Sequence, residues 1–203
     1  MSSLSQTRDA ILSAARSLFA QYGFKKTSMD DVARLAHVGK GTIYRHFENK
    51  EDLFAVLIQR ESEALIHNLA LEIKRAPDTE AKVRAFVEYR MLHFKELASR
   101  LQLTDETIME LLPLADGARK EYFEKEIDLL AEVFSTGHRS GLFDVKRPRL
   151  VAVVVLASLQ GMEITLLRMR ETLELEEGTA EALRIFFRGL ANPVRPPTPP
   201  GKE

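Results

Sequence analysis

The chain has 203 residues, 45% of them hydrophobic and 29% charged, which suits a soluble globular protein with enough interior for a real core. It has no cysteine, so a disulfide framework and a thiolate metal site are both excluded. The net charge of −1 is unevenly spread: the first fifty residues carry eight basic and four acidic side chains, a net of +4, which leaves −5 for the rest. A basic head on an acidic body suits a protein that touches a polyanion with one end only. The opening MSSLSQTRDA has no apolar core of a secretory signal, and the longest apolar run, 150–157, is too short to span a bilayer. The expectation is a cytoplasmic protein without a membrane partner.

Helical periodicity runs through nearly the whole chain, without internal repeat or sustained alternation, so the predicted fold class is all-α. Over 7–22, Ile11, Ala15, Leu18, Phe19 and Tyr22 share one face, and Gly23 suits the residue past a helix end. Thr27 or Ser28 can cap a second, short helix over 28–38. Asp30 and Asp31 fall in its first turn, where the helix dipole favours negative charge. Met29, Val32, Ala33 and Ala36 are its predicted inner face.

A break of one to three residues then leads into GKGTIYRHFENK, residues 39–50. Two short helices across such a break predict a helix-turn-helix, with the second helix in the DNA major groove. Within 42–47, Ile43 and Phe47 are spaced to face the core, leaving Thr42, Tyr44, Arg45 and His46 outward. Lys40 stands at the entrance and Lys50 just past the exit. Hydroxyls, a phenol, a guanidinium and ammonium groups are what phosphates and base edges need. The plain alternative is a solvated helix face.

Asn49-Lys-Glu-Asp reads as the capped start of a long helix over 49–76, stopped by Pro77. Further helices are predicted over 79–100, over 104–112 ending at Pro113, and over 117–137. A loop at 140–145 follows. Pro148 then opens a helix to about residue 170, and the last helix runs from about 179 or 181 to 190. Because 150–157 is apolar on every side, that helix needs cover on more than one face. Five of the eight prolines lie in 192–203, the composition of a disordered tail. The expected organisation is a DNA-binding domain at 1–48, a helical ligand-binding and dimerisation domain at 49–191, and the tail.

The stretch 8–55 resembles the TetR family of bacterial transcriptional repressors. The likeness is carried by Ile11, Ala15, Leu18-Phe19 and Gly23-Phe24, by Thr27-Ser28-Met29-Asp30-Asp31-Val32-Ala33, and by Gly41-Thr42-Ile43-Tyr44-Arg45-His46-Phe47 with Lys50-Glu51-Asp52-Leu53. It covers about a quarter of the chain; the remainder is similar in layout only. The resemblance implies a homodimer on a double-stranded DNA operator, each subunit having a DNA-binding head and a helical body for a small-molecule effector. It also implies roles by position. Tyr44, His46 and Lys50 would meet phosphates, with Thr27 or Ser28 adding one, while Lys40, Thr42 and Arg45 lie nearest to base edges and Gly41 sits among them. Two departures stand out: His37 occupies the turn where the family usually has Gly, and Gly39 the position often held by a capping Ser. A left-handed backbone costs a residue with a Cβ, although His tolerates it better than branched residues do.

Other chemistries find less support. His37, His46, His67, His93 and His138 show no i, i+4 metal-binding pair, so no metal and no cofactor are expected. Glu106, Glu110 and Asp116 offer carboxylates without a positioned nucleophile, so no enzyme is expected. A ligand-independent helical DNA-binding or partner-binding protein is the alternative reading. The dimer is expected from 148–170 and 179–190, two helices per partner, with Gly161 permitting close approach. Residues 49–76 would link effector and DNA sites, which must weaken each other equally.

On the helix over 79–100, helical spacing sets Arg90 amid Val83, Phe86, Val87, Phe94 and Leu97. A buried guanidinium must be paired. Its partner is either an internal carboxylate, with Glu163 the natural candidate, or the anionic head of an apolar effector such as a fatty acid or acyl thioester. The candidate lining for such an effector is Phe86, Met91, Phe94, Met109, Phe123 and Met162, against the plain reading of these side chains as core.

Overall fold

The computed structural model describes residues 3–101, 105–168 and 175–191, with side chains described for 5–101, 111–165 and 176–191. Among them are eight α-helices: α1 (Ser3–Tyr22), α2 (Met29–Leu35), α3 (Lys40–His46), α4 (Lys50–Arg75), α5 (Thr79–Arg100), α6 (Asp105–Arg139), α7 (Pro148–Arg168) and α8 (Leu175–Leu190). No strand occurs among the described residues, and the all-α class follows. The tail at 192–203 and the end of the predicted helix at 169–170 lie outside the described residues.

The chain packs as two compact units, one of residues 1–67 with 92–123, the other of 68–91 with 124–203. The core of the first is built from α1 to α4. Ile11, Ala15, Phe19, Val32, Ile43, Phe47 and Leu53 are all essentially inaccessible to water. Phe19, Phe24 and Phe54 form a ring cluster with centroids 5.3–6.3 Å apart, worth about 0.5–1.5 kcal/mol per pair beyond burial. Leu101 and Leu111, flanking the start of α6, are buried in the same cluster. Tyr22 departs from the predicted face of α1 and is 50% exposed. The helix ends there, Gly23 turns the chain at φ 79°, and Phe24 fills the core in its place.

Polar caps set the helix starts. Ser28 forms a capping box with Asp31, and the Ser28 hydrogen bonds hold the Asp31 carboxyl below its usual range. The Asn49 side chain accepts from the Asp52 amide at 2.7 Å, and Asp78 does the same for Ala81 at 2.7 Å. The predicted break at Pro113 does not occur: α6 runs through it as one helix of 35 residues. Proline in a helix interior forfeits one backbone hydrogen bond and costs about 3 kcal/mol. Here the flanking Leu111, Leu114 and Ala115 pack on the core, and that burial offsets the loss.

In the second unit Val83, Phe86, Val87 and Met91 of α5 are buried, as are Leu130, Val133 and Phe134 of α6. Ala152, Val155, Leu156 and Leu159 of α7 are buried as well. Among the described residues the cover of α7 is one-sided, since Leu150, Val153 and Val154 are 36–54% exposed. The 18 residues Pro148–Thr165 are long and apolar enough to cross a membrane by length and composition alone, a wider window than the run 150–157. The α6–α7 connection turns at Gly141, φ 69°, and places the Phe143 ring against Gly137. Phe143 also bridges to Ala191 in antiparallel fashion, and the Asp144 amide donates to the Leu190 carbonyl at 3.0 Å.

Candidate functional site

The second helix of the α2–α3 pair, α3, presents one face to the core and one to solvent. Ile43 and Phe47 are 0% and 1% exposed, so their burial fixes the rotation of α3. Tyr44, 46% exposed, and Arg45 then point outward, while Thr42 and His46 are half-buried. The turn before α3 is left-handed at His37, φ 54°, the conformation its position predicted. Gly39 is the N-cap residue and supplies no side-chain hydrogen bond, again as expected. A glycine there leaves the leading amides of α3 open to an outside acceptor.

Several DNA-assigned side chains have internal partners as well. Lys40 Nζ donates to Asp30 Oδ2 at 2.9 Å, and that hydrogen bond raises the lysine pKa above its ordinary value. An Arg45 amino group donates to Thr42 Oγ1 at 3.2 Å, which pre-orients the guanidinium. Lys50 Nζ donates to the Phe24 carbonyl at 2.9 Å and lies 4.3 Å from the centre of the Phe24 ring, so it also ties the start of α4 to the α1–α2 turn. Gly41 and Ser28 are exposed. Thr27 is buried instead: its hydroxyl donates to the Gly23 carbonyl at 2.9 Å and lies 3.3 Å from that of Leu18. A cavity of about 520 Å³ beside this turn is lined in part by Tyr22, Lys26, Thr27 and His37.

The second constellation is a buried charge cluster. Arg90 on α5 is 1% exposed, and its guanidinium meets two carboxylates. Nε donates to Glu126 Oε2 on α6 at 2.6 Å, and Nη1 donates to Glu163 Oε1 on α7. Burial works against the charge, but Glu163 and Glu126 outweigh it and raise the arginine pKa. Glu163 is thus the internal partner the spacing pointed to, and Glu126 is one it missed. Glu126 falls three residues after Phe123 and four before Leu130, a spacing that sets it on the apolar face of α6. One atom of the cluster is left over, because Nη2 of Arg90 is buried without a hydrogen-bond partner.

The remaining ligand-assigned residues are distributed over both units. Phe86 and Met91 are buried in the same unit, and Met162 there is half-buried. Phe94 and Phe123 are half-buried members of the other unit, and the Met109 side chain lies outside the described residues.

Two short helices, α2 and α3, joined by a left-handed turn have the geometry of a helix-turn-helix, and the comparisons give the class of protein. Residues 11–57 match the family described as bacterial regulatory proteins, tetR family. The HTH-type transcriptional regulator YhgD of Bacillus subtilis, itself uncharacterised, is 34% identical over 158 residues, covering 72% of this chain and 76% of that protein. A fatty acid metabolism regulator protein of the same species is 27% identical over 134 residues, covering 64% and 68%. A transcriptional regulator of Cytophaga hutchinsonii has the same fold, with a TM-score of 0.75 at 22% identity over 90% of this chain and 97% of that one. The chain belongs to the TetR family of bacterial regulatory proteins and is a DNA-binding transcriptional regulator.

Proposed function

We propose that the protein is a cytoplasmic, homodimeric repressor, released from a near-palindromic operator by a small, largely apolar effector. The rotation of α3 carries this reading: with Ile43 and Phe47 seated in the core, Lys40, Thr42, Tyr44 and Arg45 form a groove-facing edge. Residues 1–48 act as the DNA-binding domain and 49–191 as the body. Arg45 pairs with guanine, Thr42 packs on a thymine methyl, and Tyr44, His46, Ser28 and Lys50 bind phosphates. Thr27 contributes by holding the turn that presents Ser28, since its own hydroxyl is engaged.

The exposed side of α7 supports the dimer. Leu150, Val153 and Val154 form an apolar patch, Ala157 and Gly161 lie exposed further along the helix, and Ile185 of α8 is 56% exposed. Two such helices from each partner make a four-helix interface, which also accounts for the apolar window without a membrane. A relative named for fatty acid metabolism supports an acyl-chain effector, either a fatty acid or an acyl thioester. In vitro selection from random duplexes tests the reading. The expected product is two inverted half-sites roughly 34–36 Å apart, or a multiple of this, centre to centre. Recovery of no preferred sequence sinks the proposal.

A further inference from the structure

His37 holds a left-handed backbone, φ 54°, that glycine adopts without steric cost. It also lines the cavity of about 520 Å³ beside the α1–α2 turn, a feature the DNA-reading edge of α3 does not use. Backbone strain kept at a cavity wall points to a use for the side chain that bears it. The volume falls within the span of about 300–1,000 Å³ found for small-molecule sites. The apolar part of the lining is Leu18, Tyr22 and Leu35, and the last two are 50% and 46% exposed. The charged part is Lys26, Asp31 and Arg34. Asp31 is already satisfied, since it accepts from Ser28 and pairs with Arg34. Lys26 is exposed and joins no ion pair among the described residues. The uncommitted charge at the cavity is therefore one ammonium, and the His37 ring adds an N–H donor. A phenol ring, two leucines, one ammonium and one imidazole suit a flat apolar molecule that carries a single carboxylate.

We propose that this cavity is a ligand site for a small aromatic carboxylate, set beside the DNA-reading helices and apart from the helical body. The ring lies against Tyr22 and Leu35, and the carboxylate accepts from Lys26 and His37. The site touches both turns that present the DNA-reading elements: Thr27 precedes the Ser28 cap of α2, and His37 lies two residues before the Gly39 cap of α3. A carboxylate held at Lys26 brings negative charge close to Ser28, which is proposed to meet a phosphate. Ligand and DNA then oppose each other, each weakening the other by the same factor. The site does not depend on the effector proposed for the body; its opposition to DNA rests on the operator reading.

The test uses the full-length protein with 2-naphthoate and its uncharged counterpart, 2-naphthamide. With leucine methyls labelled, 2-naphthoate should shift the Leu18 and Leu35 signals, and 2-naphthamide should bind at least about fivefold more weakly. Lys26→Met keeps the apolar stem but removes the ammonium, and should lose about fivefold or more in 2-naphthoate affinity. His37→Gly should lose a similar factor although its backbone is relieved of strain, a loss that a merely structural role of His37 would not produce. Saturating 2-naphthoate should lower wild-type affinity for the selected operator about fivefold or more. Leu18 and Leu35 signals that stay in place overturn the inference. So do equal affinities for the two probes, unchanged 2-naphthoate affinity in either variant, or operator affinity that the ligand leaves as it was. Should Lys26→Met weaken operator binding and not 2-naphthoate binding, the cavity wall is a phosphate contact and the ligand site falls. Absence of sequence-specific DNA binding by the unliganded wild type brings down the operator reading alone, because the methyl signals read the cavity without DNA.

Discussion

Glu61 Oε1 on α4 lies 2.9 Å from an Arg16 amino nitrogen on α1, while Oε2 accepts from Arg100 at the end of α5 at 3.2 Å. One carboxylate, itself 8% exposed, thereby joins three helices of the first unit. The two arginine side chains are 51% and 41% exposed, so they remain hydrated when the pair is broken. Glu61→Ala should therefore cost about 1–2 kcal/mol, less than loss of a fully buried partner. Denaturant unfolding measures this.

The same neighbourhood sets a pH dependence. Burial pushes the His93 pKa below its ordinary value, with Arg100 and Arg119 acting in the same direction and Glu61 and Glu96 opposing them. A histidine harder to protonate when folded takes up more protons when unfolded, so stability rises with pH. The contribution is fully present above about pH 6.5, the unfolded value, and is lost as pH falls below it. Melting temperatures between pH 7.5 and 5.5 should fall, and His93→Gln should flatten the slope. A slope unchanged by that substitution refutes the assignment.

Tyr44 and Lys50 should separate DNA binding from folding. Tyr44 is exposed, and Tyr44→Ala should weaken operator binding about tenfold at unchanged melting temperature. Lys50→Ala also removes the hydrogen bond to the Phe24 carbonyl and should cost about 1 kcal/mol of stability besides. Its salt slope for DNA binding should fall by about one unit. A Tyr44 variant with wild-type affinity would mean that this face of α3 does not meet DNA.

His37 holds a left-handed backbone that costs a residue with a Cβ roughly 1–2 kcal/mol. Glycine relieves this but loses about 0.4–1 kcal/mol through the unfolded chain. His37→Gly should thus stabilise the head by about 0.5–1 kcal/mol. His37→Val, branched at Cβ, should destabilise it. Thermal melts of the two variants against wild type decide the sign.

Gly137 is fixed by contact rather than by its backbone. A Cβ there would land on the Phe143 ring, which packs between Phe134 and Phe187 with centroids 6.1 and 6.5 Å away. Gly137→Ala should cost about 1–3 kcal/mol by overpacking. Phe143→Leu in the same chain should recover part of it, which a double-mutant cycle reads directly.

Val154, 54% exposed on α7, is the probe for the proposed dimer. Val154→Asp should leave each chain folded yet produce monomers at micromolar concentration, because a charge in an apolar seam must be desolvated. Sedimentation reads the outcome. A dimer of unchanged stability would place the interface elsewhere.

The head was legible in the sequence because its signals are local. Ile43 and Phe47 four residues apart, the Ser28–Asp31 cap and the His37 turn each depend on neighbours within a few positions. Arg90 was legible for a similar reason, since one charge on an apolar helix face stands out. Glu126 was not, because Glu121, Glu124 and Asp128 crowd the same stretch of α6. The spacing to Phe123 and Leu130 singles out Glu126 among these acids only once the rotation of α6 in the packed unit is known. Pro113 misled for the opposite reason, a strong local stop overruled by tertiary burial of Leu111.

The Asp144–Leu190 hydrogen bond and the Phe143–Ala191 bridge close the second unit on itself across roughly fifty residues of chain. A link of that span forms only when the start of α7 meets the end of α8, and its loop-closure cost grows slowly with the length of chain between them. It acts as a latch on a finished body. During synthesis, the Asp144 amide must wait for the final helix to emerge before it gains its acceptor.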